Sequence, residues 1–145
     1  MKAQIRSATE ADVGPMAELT TQLGYAVDPK TLGERLAGVR TRTADEVLVA
    51  VEDNDDPIAW IHVALLATLE ASDLAAIIGL VVEEGHRSSG IGAALVEAAE
   101  RWARDRGATA LLVRSRSTRE RAHRFYERIG YVEVKRSHVF EKSLV

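Results

Sequence analysis

The chain has 145 residues, 46% of them hydrophobic, a formal net charge of −3 and no cysteine. A chain of this length buries roughly two-thirds of its unfolded surface as one compact unit, so one domain spanning 1–145 is expected rather than two. The missing cysteines remove disulfides, thiolate nucleophiles and zinc–thiolate sites. The small net charge with interleaved acids and bases argues against a nucleic-acid partner, and no segment approaches the ~20 apolar residues of a membrane span, so a cytoplasmic protein without membrane contact is expected.

In chain order, residues 3–7 alternate like a strand, and two helices follow at 10–23 and 29–39. Thr9 with Asp12 has the spacing of a capping pair, and Asp28-Pro29 is a cap followed by proline at the first helical position. Strands at 46–52 and 58–67 flank Asn54-Asp55-Asp56-Pro57, a hairpin turn. The continuous apolar run Ala75 to Val82 marks a buried strand over 74–82. Ile91, Ala94, Leu95, Ala98, Ala99, Trp102 and Ala103 then recur at helical spacing, giving a helix over 90–106 that stops at Gly107. A strand at 109–114, a helix at 119–129 and strands near 131–135 and 138–143 complete the pattern. The elements describe an α/β protein with a mixed, mainly antiparallel sheet and helices packed on it.

Between the strand at 74–82 and the helix at 90–106 stands Arg87-Ser88-Ser89-Gly90-Ile91-Gly92. A strand-to-helix turn of this kind presents the unpaired amides and the positive dipole end of the helix, which suits a phosphate. It is not a Walker A loop, since Gly92 is followed by Ala93-Ala94 rather than by lysine and a hydroxyl residue, and it lacks the three glycines of a dinucleotide fingerprint. The Arg-x-x-Gly-x-Gly spacing after a strand resembles the acyl-CoA-binding motif of the GNAT superfamily of N-acetyltransferases. Further on, Ala122-His123-Arg124-Phe125-Tyr126-Glu127-Arg128-Ile129-Gly130-Tyr131 is similar to that superfamily's second signature, A-x-x-F-Y-x-x-x-G-Y/F, in the right order and at a fitting distance.

The resemblance implies a fold in which the strands at 74–82 and 109–114 are parallel and splay apart to admit the cofactor arm. It implies acetyl-CoA as cosubstrate, with no metal. The Leu80 amide would lie at the acetyl carbonyl and the Val82 backbone against the pantetheine. Ser88, Ser89, Gly90, Gly92 and Ala93 would give amides to the pyrophosphate, with Arg87 fixing the turn or adding charge. Gly79 suits a β-bulge that turns these donors outward, or else is a packing glycine in a crowded strand. Tyr126 is the candidate general acid at the departing thiolate, although Ala122, Phe125, Tyr126 and Ile129 also form a stripe that any amphipathic helix would bury.

Two positions depart from the superfamily pattern. Ala76 stands where many members have a glutamate base, leaving His62, Glu70, Asp73, Glu83 and His138 or a water chain as substitutes, and Arg119 stands where an asparagine is common. The expected reaction is direct attack of a primary amine, on a small molecule or a peptide, on acetyl-CoA; with no cysteine, no thioester forms on the enzyme. The alternative that Ala76 favours is an acyl-CoA-binding sensor with little transfer activity. In this architecture the first two helices and their connection wall the acceptor site, which makes Tyr25, Trp60 and His62 lining candidates. The resemblance also implies a homodimer, through residues 132–144 unless those residues instead close the monomer's own sheet.

Overall fold

The computed structural model describes residues 3–71, 73–87, 89–114 and 120–145. By internal contacts the chain divides into two compact units, Met1–Arg114 and Ser115–Val145.

The first unit is a five-stranded sheet in the order β1-β2-β3-β4-β5. Its elements are β1 (Gln4–Ser7), a short 3-10 turn (Glu10–Asp12), α1 (Val13–Gln22), α2 (Pro29–Arg40), β2 (Asp45–Val51), β3 (Pro57–Leu66), β4 (Leu74–Val82), a second 3-10 turn (Glu84–His86), α3 (Ile91–Asp105) and β5 (Ala110–Val113). Strands β1 to β4 are antiparallel and β5 is parallel to β4. Local chemistry sets the boundaries. The Asp28 carboxylate accepts from the Thr31 amide at 2.8 Å at the start of α2, and the Asp12 carboxylate accepts from the Thr9 amide at 2.7 Å before α1. The β2–β3 hairpin turns through Asp55 in the left-handed region, with Asn54 Oδ1 accepting from the Asp56 amide.

Side chains alternate across the strands, so the sheet has two apolar faces. Val47, Val49 and Val51 of β2 pack with Met16 of α1 and Leu36 of α2. Ile61 and Val63 of β3, one residue out of phase with Trp60 and His62, belong to the opposite face. Leu95, Val96, Ala99 and Trp102 form the buried stripe of α3, and α3 packs on β2, β3 and β4. Among the described residues no helix is long and apolar enough to cross a membrane.

The second unit holds α4 (Glu120–Arg128) followed by residues 129–145. The strands expected near 131–135 and 138–143 are not formed in the described residues.

Candidate active site

The key strand is β4. Its register against β3 runs Val63↔Ile77 and then His62↔Gly79, so Ile78 is the extra residue of a bulge. Both expectations for Gly79 are met. It sits at the bulge, and the Trp60 ring lies so close that a Cβ there would approach Trp60 Cζ3 to 3.0 Å. Beyond the bulge, the Glu83 amide donates to the Ile58 carbonyl at 2.8 Å, which makes that couple a hydrogen-bonded antiparallel pair. Alternation then turns the backbone groups of Val82, opposite Ala59, and Leu80, opposite Ile61, away from β3. Among the described residues, pairing with β5 ends at Ile77↔Val113, so no described strand pairs with those groups.

The turn that follows ends in Gly90, at φ +88, and only then does α3 begin. A left-handed residue immediately before a helix is strained for any side chain but easy for glycine. The first intrahelical bond runs from the Ala94 amide to the Gly90 carbonyl at 3.0 Å. The amides of Ile91, Gly92 and Ala93 therefore precede the helical ladder, and they carry the positive end of a fifteen-residue helix dipole. Ile91 belongs with them, though nothing in its side chain announces this. The Ser89 amide and hydroxyl both donate to the His86 carbonyl, closing the turn on itself. His86 Nε2 lies 3.2 Å from a Glu52 carboxylate oxygen and so ties the turn to the end of β2. The Arg87 amide donates to the Glu84 carbonyl. Ser88, Thr118 and Arg119 lie outside the described residues.

In the second unit, the G-Y end of the signature has a local structural cause. Gly130, at φ +101, lets the Tyr131 amide reach the Tyr126 carbonyl at 2.9 Å and its own amide reach the Glu127 carbonyl at 3.1 Å. That is a Schellman cap, and the Tyr131 ring meets the Tyr126 ring at 5.7 Å to complete it. The cap explains the glycine and the aromatic ring of Tyr126 but not the Tyr126 hydroxyl. Burial pushes the Tyr126 phenol up from its ordinary value, so it stays protonated over a wider alkaline range, as a proton donor must.

A pocket of about 430 Å³ lies between α1, α2, β2 and β3, and it brings Tyr25, Trp60 and His62 together as expected. The Trp60 indole N–H donates to Thr20 Oγ1 at 3.1 Å, and that hydroxyl donates to the Met16 carbonyl at 2.7 Å, which fixes the ring. His62 Nε2 lies 2.8 Å from Asp45 Oδ2, with Arg42 3.6 Å from the same oxygen. A larger groove of about 520 Å³ is lined by Glu10 and residues of α1 and α2, with none from the sheet, so it stands apart from β4. Of the other substitutes for a base, Glu70 and His138 are exposed, Asp73 accepts from Thr109 Oγ1, and Glu83 lies 3.7 Å from His86. Only His62 lines the pocket.

A family model described as the acetyltransferase (GNAT) family matches residues 15–131. The chain is 30% identical over 116 residues to an aminoglycoside N(6')-acetyltransferase type 1 of Klebsiella aerogenes, covering 78% of this chain and 76% of that one. It is 28% identical over 144 residues to a protein of the same name from Stenotrophomonas maltophilia, covering 97% and 93%. Among solved structures, AAC(6')-Iy in complex with the bisubstrate analogue CoA-S-monomethyl-acetylneamine shares the fold, with a TM-score of 0.86 over 99% of each chain at 15% identity. With a bulged fourth strand, a glycine turn leading into α3 and a family match over most of its length, the chain belongs to the GNAT family of acetyltransferases.

Proposed function

We propose that this protein transfers the acetyl group of acetyl-CoA to a primary amine of a small molecule by direct attack, the whole chain acting as one cytoplasmic N-acetyltransferase domain. The observation that carries this reading is the β4 bulge, beyond which Leu80 and Val82 turn their backbone groups away from β3. In this reading the Leu80 amide polarises the thioester carbonyl and supports the developing oxyanion. The Val82 backbone holds the pantetheine arm. The Ile91, Gly92 and Ala93 amides take the pyrophosphate, joined by Gly90, Ser88 and Ser89, with Arg87 framing the turn. Ser89 must exchange its bonds to His86 for the phosphate. Tyr126 gives its proton to the departing thiolate, a role assigned from the signature it belongs to.

The α1–α2 pocket receives the acceptor. Its lining is mainly apolar, with Thr20, Tyr25, Arg35 and His62 as the polar members and no carboxylate. Because two relatives are named aminoglycoside N(6')-acetyltransferases, aminoglycosides are the first acceptors to test.

Calorimetric titration with acetyl-CoA is the direct test, with a Gly90→Glu variant in parallel. Wild-type binding that the variant loses is the expected result, since the new side chain is strained at a positive φ and sets a carboxylate where the pyrophosphate would sit. Transfer is then read as thiol release from acetyl-CoA with sisomicin and a panel of alkyl amines. The protein contributes no thiol background, having no cysteine. No binding by the wild type overturns the reading.

A further inference from the structure

We infer that His62, oriented by Asp45, takes the proton that an acceptor amine must lose before it attacks the thioester; the assignment rests on the transfer reading above. An alkyl ammonium has no lone pair, so a site that acetylates amines near neutral pH needs a proton acceptor beside the amine. Ala76, the position where the resemblance places a glutamate, cannot serve. Across the sheet Ala76 pairs with Ala64 of β3, and His62 stands two residues along β3 from Ala64, on the same face. The imidazole is thus displaced by one strand from the missing carboxylate. It is paired across the ladder with Gly79, the residue before Leu80.

The chemistry of the pair favours a base over a structural ion pair. Asp45, its side chain 8% exposed, offers only acceptor oxygens, so His62 Nε2 must carry the hydrogen between them. That leaves the lone pair on Nδ1, and an imidazole held in one tautomer by a buried carboxylate is the arrangement that accepts protons in hydrolytic triads. Arg42 lies 3.6 Å from the same carboxylate oxygen. In the step itself, His62 Nδ1 takes one proton from the ammonium, and the freed amine nitrogen bonds to the thioester carbonyl carbon. The C–S bond then breaks, the sulfur leaves as the thiol of CoA with the Tyr126 proton, the second amine proton restores the Tyr126 phenol, and the imidazolium returns its proton to water.

The charged and titratable groups facing His62 are Asp45 on β2, Arg42 before it, Arg35 on α2 and Tyr25 between α1 and α2. The test measures kcat/KM against pH for sisomicin and a panel of alkyl amines, with acetyl-CoA affinity and thermal melting measured on the same preparations. The proteins compared are the wild type, His62→Gln and Asp45→Asn. His62→Gln is expected to lower kcat/KM by about 10²–10⁴-fold with acetyl-CoA affinity unchanged, and to abolish the limb on which activity falls as the imidazole is protonated. Asp45→Asn, which keeps the shape of the side chain, is expected to lose a smaller factor and to displace that limb. A His62→Gln enzyme with wild-type kcat/KM and an unaltered limb overturns this assignment alone. Joint loss of acetyl-CoA binding and activity overturns it too, since it makes His62 a prop for the β3–β4 bulge. A wild type that binds acetyl-CoA but acetylates no amine overturns the transfer reading and this assignment with it.

Discussion

A methyl group added to residue 79 would meet Trp60 at 3.0 and 3.1 Å, at two ring atoms rather than at the end of a flexible chain. The indole cannot swing aside freely, because its N–H is bonded to Thr20, which is bonded in turn to Met16. Gly79→Ala should therefore cost about 1–3 kcal/mol, the usual range for overpacking a filled site, read as a lower urea midpoint at unchanged m-value. The same substitution should weaken acetyl-CoA binding, because the bulge that turns Leu80 outward begins at this contact. A variant as stable as the wild type would show that the ring and the strand part easily, and the bulge would then not depend on this glycine.

Arg6 connects three elements. From β1 its guanidinium donates to both carboxylate oxygens of Asp12, at 2.7 and 2.8 Å, and its Nε reaches Asp55 in the β2–β3 turn at 3.1 Å. Burial pushes the Asp12 carboxyl up, but the Arg6 guanidinium and the Thr9 amide outweigh it and hold the group below its ordinary value. A depressed carboxylate stabilises the fold above its unfolded pKa of about 4, and that contribution disappears as pH falls through the lower folded value. Melting temperature should consequently drop with acidification below about pH 4, and more shallowly in Asp12→Asn. Arg6→Ala, which leaves the Asp12 carboxylate with Thr9 as its partner, should lose about 1–3 kcal/mol at neutral pH. The Thr9–Asp12 pair was legible in the sequence because capping is local, and so were the Asp28 cap and the apolar run of β4, whose bounds match the expectation. The Arg6 fork, the Ile78 bulge and the His62–Asp45 contact were not. Asp45 pairs with Ala64, and its carboxylate reaches His62 diagonally, a relation that exists only once strand register is known. Ile91 escaped notice for another reason, since an amide before the first helical bond is a matter of position and not of residue type.

Among the described residues, exposed large apolar side chains concentrate in the C-terminal segment. Val132, Val134, Val139, Phe140 and Leu144 are each at least 76% exposed, within a stretch whose described backbone forms no ladder. Scattered surface apolar residues need no explanation, but five within thirteen positions, on extended-favouring sequence, form a surface that sheds water on contact with another chain. A second copy of this chain is the partner proposed, because an isologous contact lets the same segment serve on both sides and satisfies the two sets of backbone groups at once. Sedimentation equilibrium should give a dimer mass for the wild type and a monomer mass for a Val139→Asp, Phe140→Asp double variant, since a charge carried into an apolar contact costs far more than one left in water. If the double variant sediments as the wild type does, the segment is not the contact. A wild type that sediments as a monomer at every concentration would leave these side chains facing solvent, and residues 132–144 would then be a surface of the monomer alone.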